Sequence, residues 1–136
     1  STLLVPQKGY ALYSGQRAAS GPGVWKADAK MRTVPRSGSW KQRWSTQIPL
    51  TGNALVVAGD TIIAAGVPLQ SSFDLSQLSS TYAGKQGGVL WTASTKDGSR
   101  IAELKLPAQP VWDGLTAAHG QCFLTLRDGT VMCLGE

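Results

Sequence analysis

From residue 53 onward, short apolar stretches alternate with Gly and Asp turn signals every eight to twelve residues, and Val, Ile, Leu and Thr fill the stretches. This is an all-β rhythm. Segments 54–57 and 61–65 flank Gly59-Asp60, 88–94 and 100–106 flank Asp97-Gly98, and 121–126 and 130–134 flank Asp128-Gly129. Hairpin follows hairpin, as in a meander.

Sliding the chain against itself exposes a repeat. At an offset of 60, Leu55, Val57, Ala58, Ile62 and Ile63 fall on Leu115, Ala117, Ala118, Cys122 and Phe123, and at 41 Gly88-Val89-Leu90-Trp91 falls on Gly129-Thr130-Val131-Met132. The difference of 19 is absorbed by an insertion at 67–86. There Ser71 and Asp74 have capping-box-like spacing before Leu75 and Leu78, which predicts one short helix. A weaker third copy opens the chain at an offset of 51, with Leu4, Val5 and Leu12 on Leu55, Val56 and Ile63.

Without the insertion the unit is about 40 residues and four strands, the size of a propeller blade. The expected architecture is a single partial propeller domain over 1–136. Residues 1–50 form a first blade with a basic loop, ending in a strand at 43–50. Residues 51–107 form a second blade carrying the insertion, and 108–136 a third of three strands. Closed propellers have four to eight blades, so this arc does not close by itself, and its partners are the remaining blades of the same polypeptide or another chain.

The stretch Gly88-Val89-Leu90-Trp91, Lys96-Asp97-Gly98 and Leu104-Lys105-Leu106-Pro107, then Pro110-Val111-Trp112-Asp113-Gly114 and Asp128-Gly129-Thr130-Val131-Met132-Cys133, resembles the repeats of PQQ-like (quinoprotein-like, WD40-like) β-propellers. The likeness covers 40–136, about 70% of the chain, and 112–136 looks like the end of a large exported bacterial propeller protein. An exported or periplasmic location is implied by that resemblance alone. In the family's enzymes the resemblance implies adjacent disulfide-bonded cysteines, calcium on carboxylate and amide ligands, a catalytic Asp and repeats ending in Trp. Here the cysteines are eleven apart, Leu104 stands at the expected Trp, and no Asp or Glu cluster has metal-ligand spacing. The expectation is therefore a non-catalytic binding or scaffold portion with no cofactor or metal. A quinoprotein-type oxidoreductase fragment using PQQ with calcium is the alternative.

Composition refines this picture. The chain is 42% hydrophobic and 15% charged, against a typical ~25%, which excludes disorder and coiled coil. No apolar run approaches a membrane span of about 18 residues, so membrane insertion is not expected. The net charge of +5 is concentrated, because 1–45 holds eight bases and one acid while the rest holds five bases and seven acids. Arg32, Arg36, Trp40, Lys41 and Arg43 lie beside Trp25 and Trp44, a mixture able to hold phosphates while rings stack on bases. They are the candidate binding residues. A second alternative is thus polyanion or nucleic-acid binding, although a solvated basic loop explains the same residues and nucleic acid is not the expected partner.

Individual chemistry is sparse, and no catalytic residue is assigned. His119 aligns with the Gly59-Asp60 hairpin and reads as a turn residue rather than a member of a Ser-His-Asp triad. Centring a two-residue loop on Asp128-Gly129 sets Leu124 opposite Cys133, with Cys122 diagonally placed and too far for an unstrained bridge. Two buried free thiols are expected. Asp60, Asp97 and Asp128 read as turn caps, Gly84-Lys85-Gln86-Gly87-Gly88 as a flexible entry to a strand rather than a phosphate loop, and Trp91 and Trp112 as packing between blades.

Overall fold

In a computed structural model the described residues are 10–17, 40–69 and 75–135. They form three antiparallel sheets in chain order. The first pairs β1 (Tyr10–Arg17) with β2 (Trp40–Ile48). The middle sheet is a four-stranded meander of β3 (Leu50–Ala58), β4 (Thr61–Pro68), β5 (Gly88–Ser94) and β6 (Arg100–Leu106). The last holds β7 (Pro110–Ala118), β8 (Gln121–Leu126) and β9 (Val131–Leu134). The all-β fold and the hairpin order follow the sequence pattern, and none of the sheets is closed.

The repeat is preserved pair by pair. Leu55↔Ala64, Val56↔Ile63 and Val57↔Ile62 in β3·β4 become Leu115↔Leu124, Thr116↔Phe123 and Ala117↔Cys122 in β7·β8, each shifted by 60. Across the next pairing, Ala64↔Trp91 and Ile62↔Ala93 become Leu124↔Met132 and Cys122↔Leu134, at offsets of 60 and 41. Equal register gives equal faces, since side chains alternate along a strand and a slip of one would turn every one over.

The first sheet obeys the same rule at offsets the sequence pattern did not suggest. Tyr10↔Ile48, Leu12↔Thr46 and Tyr13↔Ser45 match Gly88↔Leu106, Leu90↔Leu104 and Trp91↔Glu103, at 78 in one strand and 58 in the other. Even the bulge recurs at the same place, after Ser14 in β1 and after Thr92 in β5. The first sheet therefore corresponds to β5 and β6. This corrects the offset of 51, which would make β1 the counterpart of β4, whereas β1 pairs directly with the sheet's last strand. Leu4 and Val5 lie outside the described residues.

Two apolar layers hold the sheets together. Between the middle and last sheets lie Ala54, Ala65, Leu90 and Leu106 against Leu115, Cys122, Leu124 and Leu126, with Val56, Ile63, Met132 and Leu134 at the margin. Between the first and middle sheets lie Ile48, Leu50, Ala64, Val89, Trp91 and Ala93, with Leu12 packed on them. Asn53, buried, ties β3 to β7 through its Nδ2, which donates to the Pro110 carbonyl at 2.9 Å. Such satisfaction is what a buried amide requires.

The insertion carries the one described helix, α1 (Leu75–Tyr82). It ends in a Schellman motif: Lys85 N donates to Ser80 O at 3.1 Å, Gly84 N to Thr81 O at 3.0 Å, and Gly84 sits at φ +81°. The glycine run is thus a helix stop before β5. Ser71 and Asp74, its expected cap, lie outside the described residues.

Candidate functional surface

The tight turns hold Asp97, Asp128 and His119. Asp97 Oδ1 accepts from Ser99 N at 2.9 Å and Ser99 Oγ at 2.7 Å, and Asp128 Oδ1 accepts from Thr130 N at 2.9 Å. These bonds favour the ionised carboxylates and hold both below the usual Asp range, the Ser99 bonds leading for Asp97 and the Thr130 bonds for Asp128. Both are structural caps, as expected. His119 and Gly120 form the β7–β8 turn with φ +53° and +75°, the geometry of a type I′ hairpin.

The thiols depart from expectation. A three-residue loop, with Leu126 N donating to Thr130 O at 2.8 Å and Gly129 at φ +88°, sets Phe123 rather than Leu124 opposite Cys133. That is the loop class in which a left-handed third residue forms a bulge, one residue longer than the two-residue turn the Asp-Gly pair suggested. Both cysteines are free, but only Cys122 is buried. Burial, then the neighbouring Cys133, pushes the Cys122 thiol up, so it stays protonated and inert.

Of the candidate binding residues, Arg32 and Arg36 lie outside the described residues. Trp40 begins β2, and Lys41 and Arg43 are exposed on the same strand, Arg43 Nη2 donating to Gln16 Oε1 at 3.3 Å. Trp44 is committed elsewhere. Its Nε1 donates to Thr95 O at 2.9 Å, and its ring lies so close under Gly98 that a Cβ there would sit 2.7 Å from Cε3 and Cζ3. This ring clasps the first sheet to the β5–β6 turn and is not offered to a base.

Trp91 is 2% exposed and packs between sheets, but Trp112 is 74% exposed, which corrects its assignment to packing. The cause is an irregularity between Pro110 and Leu115, with Asp113 at φ +52°, that breaks the strict alternation of β7. Asp113-Gly114 inside an apolar strand was the signal for it.

Two hollows border the inner strands. One of about 500 Å³ lies between the middle and last sheets at the hairpin end, lined by Thr61, Thr92, His119, Gln121 and Cys122 among apolar neighbours. The other, about 330 Å³, lies between the first and middle sheets and is lined by Tyr10, Leu12, Ile48, Asn53, Leu55 and Asp113. Beside it Leu55 and Val57 are 56% and 59% exposed although they share a sheet face with buried Ala64 and Trp91. No group of three or more His, Cys, Asp or Glu that could hold a metal occurs among the described residues, and no described helix is long and apolar enough to cross a membrane. Compared with protein-family models, curated proteins and solved structures, the chain matches none.

Proposed function

We propose that the chain is a non-catalytic binding or scaffold portion of a PQQ-like β-propeller, its three sheets serving as successive blades. The observation that carries this reading is that the middle sheet shares its register with each of the others, β5·β6 with β1·β2, bulge included, and β3·β4·β5 with β7·β8·β9. The hand-over between sheets supports it, because the first and middle sheets both end in an aliphatic residue and Pro, Ile48-Pro49 and Leu106-Pro107, before the next inner strand begins.

The mechanism is presentation. Stacked sheets give a rigid frame, and the strand ends that bound the long connections lie at opposite ends: Arg17 and Trp40 at the end of the Gly59-Asp60 hairpin, and Pro68 and Gly88, which bound the α1 insertion, at the other. Further blades, from the same polypeptide or another chain, cover Leu55 and Val57.

A fluorescent dye specific for exposed apolar surface tests the reading. The isolated chain binds the dye; replacing Leu55→Ser together with Val57→Ser removes most of the emission and moves the melting temperature by no more than about 2 °C. Absence of dye binding, or unfolding by the pair of substitutions, overturns the reading.

A further inference from the structure

The two interfaces between neighbouring sheets differ at one repeated position. In β1·β2 Ser14 stands opposite Trp44, and in β5·β6, at the same offsets of 78 and 58, Thr92 stands opposite Ala102. Each pair faces the sheet that follows its own. In the first interface an indole fills the layer. The β5–β6 turn lies over the Trp44 ring, Gly98 against it, and the Thr95 carbonyl accepts the indole N–H at 2.9 Å. In the second interface a methyl group stands in the place of that ring, and the hollow of about 500 Å³ has Thr92, the partner of Ala102, in its wall. Such a volume is that of a small-molecule site, and side chains that border empty space forfeit the contacts a ring would give them.

We propose that this hollow binds a small, uncharged, planar aromatic molecule of indole size, which takes between the middle and last sheets the part that Trp44 takes between the first and middle ones. The walls define the ligand. Ile63 and Leu90 on one side and Cys122 on the other supply apolar contact, and the spacing of stacked sheets, about 10 Å, suits a flat ring held between side chains. Among the described residues that line the hollow none is Lys, Arg, Asp or Glu, so nothing there offsets the desolvation of a charged group. Thr61, Thr92 and His119 supply polar atoms able to meet one ring N–H or O–H. His119 stands there against backbone preference: its φ is +53°, where the other copy of the hairpin has Gly59 at +58°. The site goes beyond the scaffold reading and needs only the register of the two interfaces. Leu55 and Val57, which test that reading, belong to the opposite face of the middle sheet, so the two fail separately.

Indole itself is the probe. Titrated into the isotope-labelled chain, it shifts the amide resonances of Thr61, Thr92 and residues 119–122 along one saturable curve, with a dissociation constant of about 1 mM or tighter, a range within reach of so small a ligand. The amides of β1, beyond the other face of the middle sheet, do not follow. Indole-3-carboxylate, the same ring carrying a negative charge, binds at least about ten-fold more weakly. Ala102→Trp supplies the ring from the protein itself and weakens indole binding at least about ten-fold. Thr92→Phe fills the hollow from its own wall with the same result, and it decides the matter where Ala102→Trp fails to fold. Absence of saturable shifts at these amides, shifts centred elsewhere, equal binding of the carboxylate, or undiminished binding in a folded filling variant each overturns the proposal.

Discussion

Leu55 and Leu115 occupy the same position in two copies of one structural unit, yet Leu55 is 56% exposed and Leu115 8%. Nothing local separates them: both are leucines, both pair with the same position of the next strand, and both face the sheet that precedes theirs. The difference lies in that sheet. Before the last sheet stand the inner strands β3 and β4, whose Ala54, Val56, Ile63 and Ala65 line the shared layer. Before the middle sheet stand only counterparts of β5 and β6, which reach its inner strands at Leu50 and Ala64 but leave Leu55 and Val57 exposed. Burial in a repeated fold is thus a property of the neighbour, as in any linear array whose stability sums over interfaces.

The sharpest way to break the comparison is to truncate both leucines. Leu115→Ala removes buried methyl groups from a packed layer and destabilises by about 2–4 kcal/mol, whereas Leu55→Ala changes stability by less than about 0.5 kcal/mol. Urea denaturation read by tryptophan fluorescence measures both. Equal losses would mean that Leu55 is covered in the folded chain, and the two interfaces would cease to differ.

The same contrast separates what could be read from the chain and what could not. Strands β5, β6 and β8 lie at the residues the alternation marked, because each is bounded by a tight turn that Gly and Asp announce. The offsets of 60 and 41 hold in the pairings because register is fixed wherever one face is buried. The first sheet was legible only as a strand near residues 43–50, since Tyr10-Ala11-Leu12-Tyr13 carries Tyr where β5 has Gly88 and Trp91. Its connection is also 22 residues long where β5–β6 has a short turn. Trp112 and Cys133 were misjudged for one reason: a bulge in β7 and one extra residue in the β8–β9 loop shift the period, and a hydrophobic pattern cannot report a shift that leaves composition untouched. Of the candidate binding residues, Lys41 and Arg43 stand exposed on β2, while Trp44, beside them in sequence, proves to be a clasp through an indole bond that no local pattern encodes.

That clasp offers a second, smaller test, aimed at the weaker interface. Gly98→Ala meets two penalties, a φ of +73° that disfavours any side chain and a Cβ 2.7 Å from the Trp44 ring. Gly59→Ala meets only the first, at φ +58° with nothing within 4 Å. A loss of about 1 kcal/mol is expected for Gly59→Ala and about 2–3 kcal/mol for Gly98→Ala. Only the latter shifts the emission of Trp44. Equal losses without an emission change would show that the first sheet does not lean on the β5–β6 turn.

The smallest effect concerns one Asp-Gly turn in each of the middle and last sheets, β5–β6 and β8–β9, and it is read by pH. Asp97 and Asp128 have folded pKa values below their unfolded ones, so the stabilisation they contribute is present above the unfolded value of about 3.9 and disappears as pH falls through the folded value. In the folded state the charge, not the acid, is what the Ser99 and Thr130 donors hold. The gap in melting temperature between the parent chain and Asp97→Ala should be constant above about pH 5 and shrink steadily as the carboxyl protonates below about pH 4. Ser99→Ala, which deletes the 2.7 Å hydroxyl bond and keeps the backbone one, should move that shrinkage toward higher pH by returning the carboxyl partway to its ordinary range. Both carboxylates are fully exposed, so water and salt screen them and the shifts stay well below those of either core or clasp. A gap that widened on acidification would mean that the turn holds the neutral acid, and the Asp-Gly repeat would then owe its recurrence to backbone shape and not to charge.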